Sequence, residues 1–469
     1  MKWLALPILL LTALPAQTIP TMAQTALPDT PAGQAARDWM DALNSGERAQ
    51  IAAVKEKYHR PNPVDGTLSF ATQTGGLKVL RVESSSPGEL VMFTEAKTSD
   101  LFFRSTFRVD ATDPTARLEV NNDNSVRRPP DLAIPRLTQS GINTALDAKA
   151  DAMVKADALS GGMLVVRGKS TVYYRVWGMA DRAAKTPVTR TTKFRIGSMN
   201  KMFTAVAILQ LIDQKKLSLD DTVGKLLPGY PNAGIAQKVT VRMLLTHSGG
   251  TGDIFGPEFD KERLTLKSNE DYVRLFGTRA PLFEPGTQER YSNYGFILLG
   301  AIVSKVSGED YYDYVQRHIF APAGMTGTGS LPEDAAVPDR SKGYMKKDGQ
   351  WVSNADTLPF RGMAAGGGYS TLDDLVKFGQ ALESGTLLPK ALLADATADH
   401  TKGKWYGYGF MVGGDGADRW YGHGGGAPGM NGELRVFPAS QTVIVALSNL
   451  DPPAATNLAE FYANRMPLN

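Results

Sequence analysis

Ser198 and Lys201 stand three residues apart in Phe194-Arg195-Ile196-Gly197-Ser198-Met199-Asn200-Lys201, at the head of the apolar run Met202 to Ile212. That spacing on a helix points both side chains from one face. A helix that is apolar all round is buried, and a lysine carried inward loses basicity readily. Serine is a poor nucleophile until a neighbouring base takes its proton, so the pair can support acyl transfer. The start of the helix adds backbone donors and a positive dipole end. The plainer reading makes Ser198 an N-cap and Lys201 a solvated first-turn residue.

Two more elements change the balance. Tyr291-Ser292-Asn293 follows the turn Glu284-Pro285-Gly286-Thr287 and precedes a helical stretch, Tyr294 to Val306. A phenol projecting from that loop can act first as a general base and then as a general acid to a leaving group. The Asn293 amide can bind a substrate carbonyl and hold Lys201. Otherwise Tyr291 is a core aromatic and Asn293 an ordinary cap. Farther on, His423, Gly424, Gly425 and Gly426 leave a strand. Glycines in a strand mark a close approach of another backbone or a ligand. An edge strand of this kind can pair with an extended substrate and lend an N–H to an oxyanion. Otherwise the glycines form a tight turn and His423 is a satisfied structural histidine.

Spaced by about 90 and about 130 residues, the three elements together resemble the serine β-lactamase / penicillin-binding-protein superfamily. The likeness is to its class C-like branch of β-lactamases, esterases and D-amino-acid peptidases. The first motif of that family matches Ser198-Met199-Asn200-Lys201, the second Tyr291-Ser292-Asn293, and the third, usually Lys-Thr-Gly, His423-Gly424-Gly425. Val241 to Gly250 and Gly367 to Leu375 also match, and the likeness covers about 136–469.

The resemblance implies an α/β fold, an antiparallel sheet flanked by helices with an all-helical insertion at about 216–400. It implies that Ser198 is acylated and that Lys201 and Tyr291 share its proton. Tyr291 would then protonate the leaving group and later activate water. The amides of Ser198 and Gly426 would form the oxyanion hole, and His423 would line the substrate site opposite Tyr291. The third motif departs from the family pattern. A permanent cation becomes His423, only partly charged near neutrality, and a hydroxyl becomes Gly424. Both changes weaken recognition of the carboxylate of a β-lactam. The expected enzyme is a serine hydrolase acting on an ester or D-amino-acyl amide rather than an efficient β-lactamase. A weak β-lactamase, a D-Ala carboxypeptidase and a non-catalytic peptidoglycan-binding relative stay open. The intact Ser198, Lys201 and Tyr291 argue for an enzyme.

The elements that must hold these residues belong to a chain of 469 residues, 42% hydrophobic and 21% charged, which is ordinary globular composition. Lys and Arg number 51 against 48 Asp and Glu, a net charge of +3 with no basic footprint for nucleic acid. With no cysteine, disulfides, thiolate zinc sites, iron–sulfur clusters and cysteine nucleophiles are excluded. The five histidines form no His-Glu-x-x-His or other close pair, so neither metal nor cofactor is expected. No Gly-x-Ser-x-Gly elbow is found. Gly366-Gly367-Gly368 lacks a following Lys-Ser/Thr and is no phosphate cradle, and Thr371-x-x-Asp374 resembles a capping box.

Residues 1–23 read as a secretory signal peptide: Lys2, an apolar run through Leu14, then small residues in Thr21-Met22-Ala23. No cysteine follows for a lipid anchor. A secreted or periplasmic protein is expected, with no membrane anchor after leader removal. Its partners would be a small-molecule or peptide substrate and peptidoglycan fragments. Residues 34–120 carry two helices, the second Arg48 to Lys57, and then three strands, a small α+β domain that resembles NTF2-like cone domains. A Pro-rich linker at 121–135 leads to the hydrolase domain, 136–469. In it a hairpin (Gly161 to Trp177) and late strands (Tyr406 to Val412, Arg419 to His423, Glu433 to Phe437, Thr442 to Ser448) form one sheet around a helical insertion. The loop Thr251 to Asp271 is expected to cover the cleft, and His247 to be structural.

Overall fold

The computed structural model describes residues 26–60 and 63–468, so the expected leader, 1–23, lies outside the described residues. The chain divides into two compact units, meeting between Ala133 and Ile134. No described helix is long and apolar enough to cross a membrane.

In the first unit α1 (Pro31–Ser45), α2 (Arg48–Lys57) and α3 (Val64–Thr74) precede an antiparallel meander of β1 (Leu77–Ser85), β2 (Glu89–Ala96), β3 (Phe102–Arg108) and β4 (Glu119–Asp123). Thr30 caps α1 by accepting from the Gly33 amide at 3.1 Å, with Pro31 pre-set for the first turn. Ala32, Ala35, Ala36, Trp39, Met40 and Leu43 are buried, a single 3.6-period stripe. Two elements depart from expectation. α3 buries only Ala71 and Thr74 fully, and its Gly, Thr and Ser content is weakly helical, so no periodic signal marks it. β4 takes residues 121–123 out of the expected linker. Apart from Val120 its side chains are polar, and it is held by main-chain pairing with β3 and by the Ser105 hydroxyl donating to Asn122 at 2.7 Å.

The second unit opens with α4 (Gln139–Lys155), the hairpin β5 (Gly161–Arg167) and β6 (Ser170–Trp177), and α5 (Asn200–Asp213). It continues with α6 (Asn293–Ser307) and α7 (Leu372–Glu383). It closes with β7 (Met411–Gly413), β8 (Trp420–Ala427), β9 (Met430–Phe437), β10 (Thr442–Ser448) and α8 (Ala454–Arg465). The six strands form one antiparallel sheet in the order β7-β8-β9-β10-β5-β6. Ser448 faces Gly161 and Thr442 faces Arg167, so the two ends of the domain pair with each other.

Period-two alternation sorts the two faces. Met163 and Val165 of β5 with Ile444 and Ala446 of β10 pack under Ile142, Leu146, Leu458 and Tyr462 of α4 and α8. Leu164, Val166, Val443 and Val445 face the larger core, which holds Phe203 and Phe378 of α5 and α7. The result is the α/β architecture expected from the sequence. The region 216–400 is not all-helical: short helices are joined by long loops, and it also contains a hairpin, Tyr344–Lys347 with Gln350–Ser353. The expected strand Tyr406 to Val412 shrinks to β7. At α7 Thr371 accepts from the Asp374 amide at 3.1 Å. The Asp374 carboxylate turns instead to the Gly327 amide, the Thr328 hydroxyl and Lys377, at 2.7, 2.9 and 2.9 Å, so only half of a capping box forms.

A short strand, Phe194–Arg195, delivers the chain to Ser198 and pairs with Tyr369–Ser370. The Arg195 guanidinium is buried and donates to Glu333 at 3.0 and 2.5 Å and to the Ser341 carbonyl at 2.9 Å. Removing one partner of a buried ion pair leaves the other uncompensated. Glu333→Ala is therefore expected to lower unfolding stability by about 3 kcal/mol in urea denaturation. An unchanged midpoint would show that the pair does not anchor this strand.

Candidate active site

Ser198 lies on a single 3₁₀ turn, Gly197–Met199, between that short strand and α5. Gly197 has φ +52°, a conformation that favours glycine, and a Cβ there would stand 3.1 Å from the Gly426 nitrogen. At Gly425 a Cβ would meet the Ile196 carbonyl oxygen at 2.0 Å, so only glycine lets β8 press against the turn. β7 pairs only with residues 420–422 of β8, which leaves His423 onward beyond its reach and facing the turn. From the other side the Gly367 amide donates to Gly197 O at 3.2 Å and the Ile196 amide to Gly368 O at 2.8 Å. Ser198 is thus fixed by backbone on both flanks.

Lys201, the second residue of α5 and one turn beyond Ser198, is 0% exposed, which overturns the solvated reading. Its ammonium donates to Asn293 Oδ1 at 2.7 Å, to the Ala365 carbonyl at 2.6 Å and to Ser198 Oγ at 3.3 Å. Burial pushes its pKa down from 10.5 to about 7, against a smaller opposing pull from the Asp253 carboxylate. Once neutral, the amine keeps its two donations to the permanent acceptors Asn293 and Ala365. Its lone pair then faces the Ser198 hydroxyl, as a general base requires.

Asn293 opens α6, which is capped by the Ser292 hydroxyl accepting from the Gly295 amide at 2.9 Å. Its Nδ2 donates to both oxygens of Asp253, at 3.0 and 3.1 Å, which turns its Oδ1 toward Lys201. The Tyr291 ring centroid lies 4.7 Å from the Lys201 ammonium. Burial raises the Tyr291 phenol above its ordinary 10, only partly offset by a hydrogen bond with Ser198. Tyr291 therefore stays a neutral phenol and Lys201 is the better proton acceptor of the two.

His247, at the end of the short helix Val241–Leu245, is the support that the sequence suggests. Its Nδ1 accepts from the Ser292 amide at 3.1 Å, and its ring packs 4.4 Å from that of Tyr291.

Not every predicted residue reaches the cleft. The cleft is a cavity of about 620 Å³. Ser198, Tyr291, Asn293 and Gly426 line it, whereas His423, Gly424 and Gly425 are not among its walls. His423 is 2% exposed, with its ring 6.5 Å from that of Tyr291. Its Nε2 is 2.9 Å from the Tyr406 hydroxyl and its Nδ1 2.5 Å from the Gly424 carbonyl. With both nitrogens satisfied inside the protein, the ring has no call on substrate. Burial, and then the Lys201 charge, hold its pKa at about 3, so it is neutral rather than partly charged near pH 7. A Cβ at Gly424 would point at Glu433, 2.8 Å away, on the far side of the strand.

Ile254, Phe255, Phe259, Leu358, Met363 and Met430 make the remaining walls largely apolar, with Asp260, Arg263, Asp356 and Thr357 as the polar exceptions. Ile254, Phe255 and Phe259 belong to the segment expected to cover the cleft, part of which is a helix, Pro257–Glu262. Asp253, the Ala365 carbonyl and Tyr406 escape sequence reasoning. The first is a lone aspartate in a loop, the second a main-chain atom, and the third sits in a stretch that reads only as strand. Among the described residues no cluster of three or more histidine or acidic side chains could hold a metal ion.

The beta-lactamase family model matches residues 146–465. A penicillin-binding protein from Bacillus halodurans has a similar structure, with a TM-score of 0.60 and 30% identity over 67% of this chain and 98% of that one. A D-stereospecific amidohydrolase from Streptomyces sp. gives a TM-score of 0.58 and 27% identity over 68% of this chain and 97% of that one. Esterase EstB of Burkholderia gladioli is 29% identical over 318 residues, 59% of this chain and 80% of EstB.

Reaction of Ser198 with a fluorophosphonate should follow the neutral fraction of Lys201. Its rate should climb about tenfold per pH unit below pH 7 and level off above it. Lys201→Ala should slow the reaction by on the order of 10². A rate in the variant equal to wild type would remove Lys201 from the role of base.

Proposed function

We propose a specific activity for this chain, which belongs to the beta-lactamase family and is a serine hydrolase related to esterases, D-aminopeptidases and penicillin-binding proteins. That activity is hydrolysis of an ester or a D-amino-acyl amide through an acyl-enzyme on Ser198. The observation that carries this reading is the buried Lys201, brought near neutral pH by burial and bonded to Ser198 at 3.3 Å.

In the proposed reaction Ser198 Oγ attacks the substrate carbonyl carbon while its proton passes to the neutral Lys201 amine. The amides of Ser198 and Gly426 receive the oxyanion that forms. The bond to the leaving oxygen or nitrogen breaks as that atom takes up a proton through Tyr291, restoring neutral Lys201. Water then attacks the Ser198 ester with Tyr291 and Lys201 taking its proton, and the carboxylic acid leaves as Ser198 regains its hydrogen.

Two features support an ester or amide over a β-lactam. The third motif offers a neutral, inward-facing His423 where a lactam carboxylate would need a cation. The cleft walls are mostly apolar and suit a hydrophobic acyl or leaving group. We further propose that the chain is exported after loss of residues 1–23, with no membrane anchor. The material it meets there would include peptidoglycan fragments.

Intact-protein mass spectrometry tests the reading with p-nitrophenyl butyrate and penicillin G, on wild type and Ser198→Ala side by side. Wild type should turn over the ester and carry a transient butyryl adduct, with slow or no release of the penicilloyl group. Ser198→Ala should retain its fold and lose turnover and adducts. Ester turnover by Ser198→Ala at the wild-type rate would refute the mechanism. Faster turnover of penicillin G than of the ester would reverse the substrate assignment.

A further inference from the structure

The N-terminal unit contains a cavity of about 290 Å³ between α1, α3 and β4. Trp39, Phe70 and Val120 give it apolar walls, and Arg60, Thr67 and Asn122 give it polar ones. One cation, Arg60, lines the cavity, and a second, Lys55, stands behind the wall residues Thr67 and Trp39. Lys55 is only 4% exposed, with its ammonium 3.4 Å from the Thr67 hydroxyl and 5.8 Å from the Trp39 ring centroid. The Arg60 guanidinium stands 4.5 Å from the same centroid. It donates to the Leu118 carbonyl at 2.8 Å, yet its buried Nε–H has no hydrogen-bond partner among the described residues.

Among the described residues neither cation has an ion-pair partner. Asp38 is occupied by Lys57 at 2.6 Å, and Glu119, whose charge Arg60 feels, by Arg117 at 3.2 Å. Burial, reinforced by the charge of Arg60, holds the Lys55 ammonium below its ordinary pKa. A buried ammonium beside a second cation is unfavourable unless an anion joins them. The unsatisfied donors of a guanidinium match the two oxygens of a carboxylate. The aromatic walls call for an apolar body on that anion.

We infer that this cavity is a binding site for a small organic carboxylate. Arg60 would hold the carboxylate with the charge of Lys55 behind it, and Trp39 and Phe70 would pack the apolar body. Nothing in this site depends on the Ser198 chemistry.

Calorimetric titration of the full chain carrying Ser198→Ala, which cannot turn over, tests the site with phenylacetate. The same protein is titrated with neutral phenylacetamide and with inorganic phosphate. Phenylacetate should bind below about 1 mM, with the amide and phosphate at least about 10-fold weaker. Adding Arg60→Gln should weaken phenylacetate by at least about 10-fold. Lys55→Met removes a buried unpaired charge, so it should melt no lower than its parent and lose the rise in Tm that phenylacetate confers. Unchanged affinity in both the Arg60→Gln and Lys55→Met proteins would place the ligand elsewhere and overturn the inference. So would phosphate binding as tightly as phenylacetate, or no heat from phenylacetate up to about 10 mM.

Discussion

An ammonium group buried in an apolar interior is the constraint on which the hydrolase domain depends. Lys201 is fully buried among the buried side chains of α5, where an isolated charge would be prohibitive. Three acceptors meet it: Asn293, Ala365 and Ser198. Each comes from a different part of the chain, and two of them, Asn293 and Ser198, have named supports of their own. Asp253 orients the Asn293 amide, His247 holds the Ser292 amide beside it, and β8 presses its glycines against the turn of Ser198. The sheet that pairs the two ends of the domain keeps β8 in register with the rest. Fold and chemistry therefore share one requirement: the charge must be satisfied well enough to be buried, yet weakly enough to be given up near neutrality.

The same requirement sorts the polar groups around the serine. The phenol of Tyr291 is driven upward by burial and the imidazole of His423 downward, so both are neutral where Lys201 titrates. A neutral His423 adds no positive charge that would further depress Lys201 or attract an anionic substrate. The cleft in front of Ser198 is mainly apolar, with Ile254, Phe259 and Met363 on its walls, and its charged wall residues are Asp260, Arg263 and Asp356.

Much of this was legible in the chain because residue type and spacing carry it. Ser198 and Lys201 on one face of an apolar helix, Tyr291 and Asn293 at a helix entrance, and a glycine-rich strand after His423 are local patterns. The alternating β5 and β10 were legible for the same reason, since each strand sorts its side chains between two cores. What escaped depends on tertiary surroundings. Asp253 is one aspartate among many until Asn293 is folded beside it. A histidine reads alike whether it faces a cleft or a Tyr406 hydroxyl, which is why His423 was expected among the substrate contacts. In the N-terminal unit α3 and β4 lack a clean apolar face, and the convergence of Lys55 and Arg60 on Trp39 brings together parts of α1 and α2 with the chain just beyond.

The chemistry at Ser198 stands on burial bringing Lys201 within reach of neutrality in the folded protein. That shift is tested most directly by an NMR titration of the Lys201 side chain, assigned by comparison with Lys201→Arg. A midpoint at about pH 7 is expected. A midpoint near the ordinary lysine value of 10.5 would contradict it and leave Ser198 without its base.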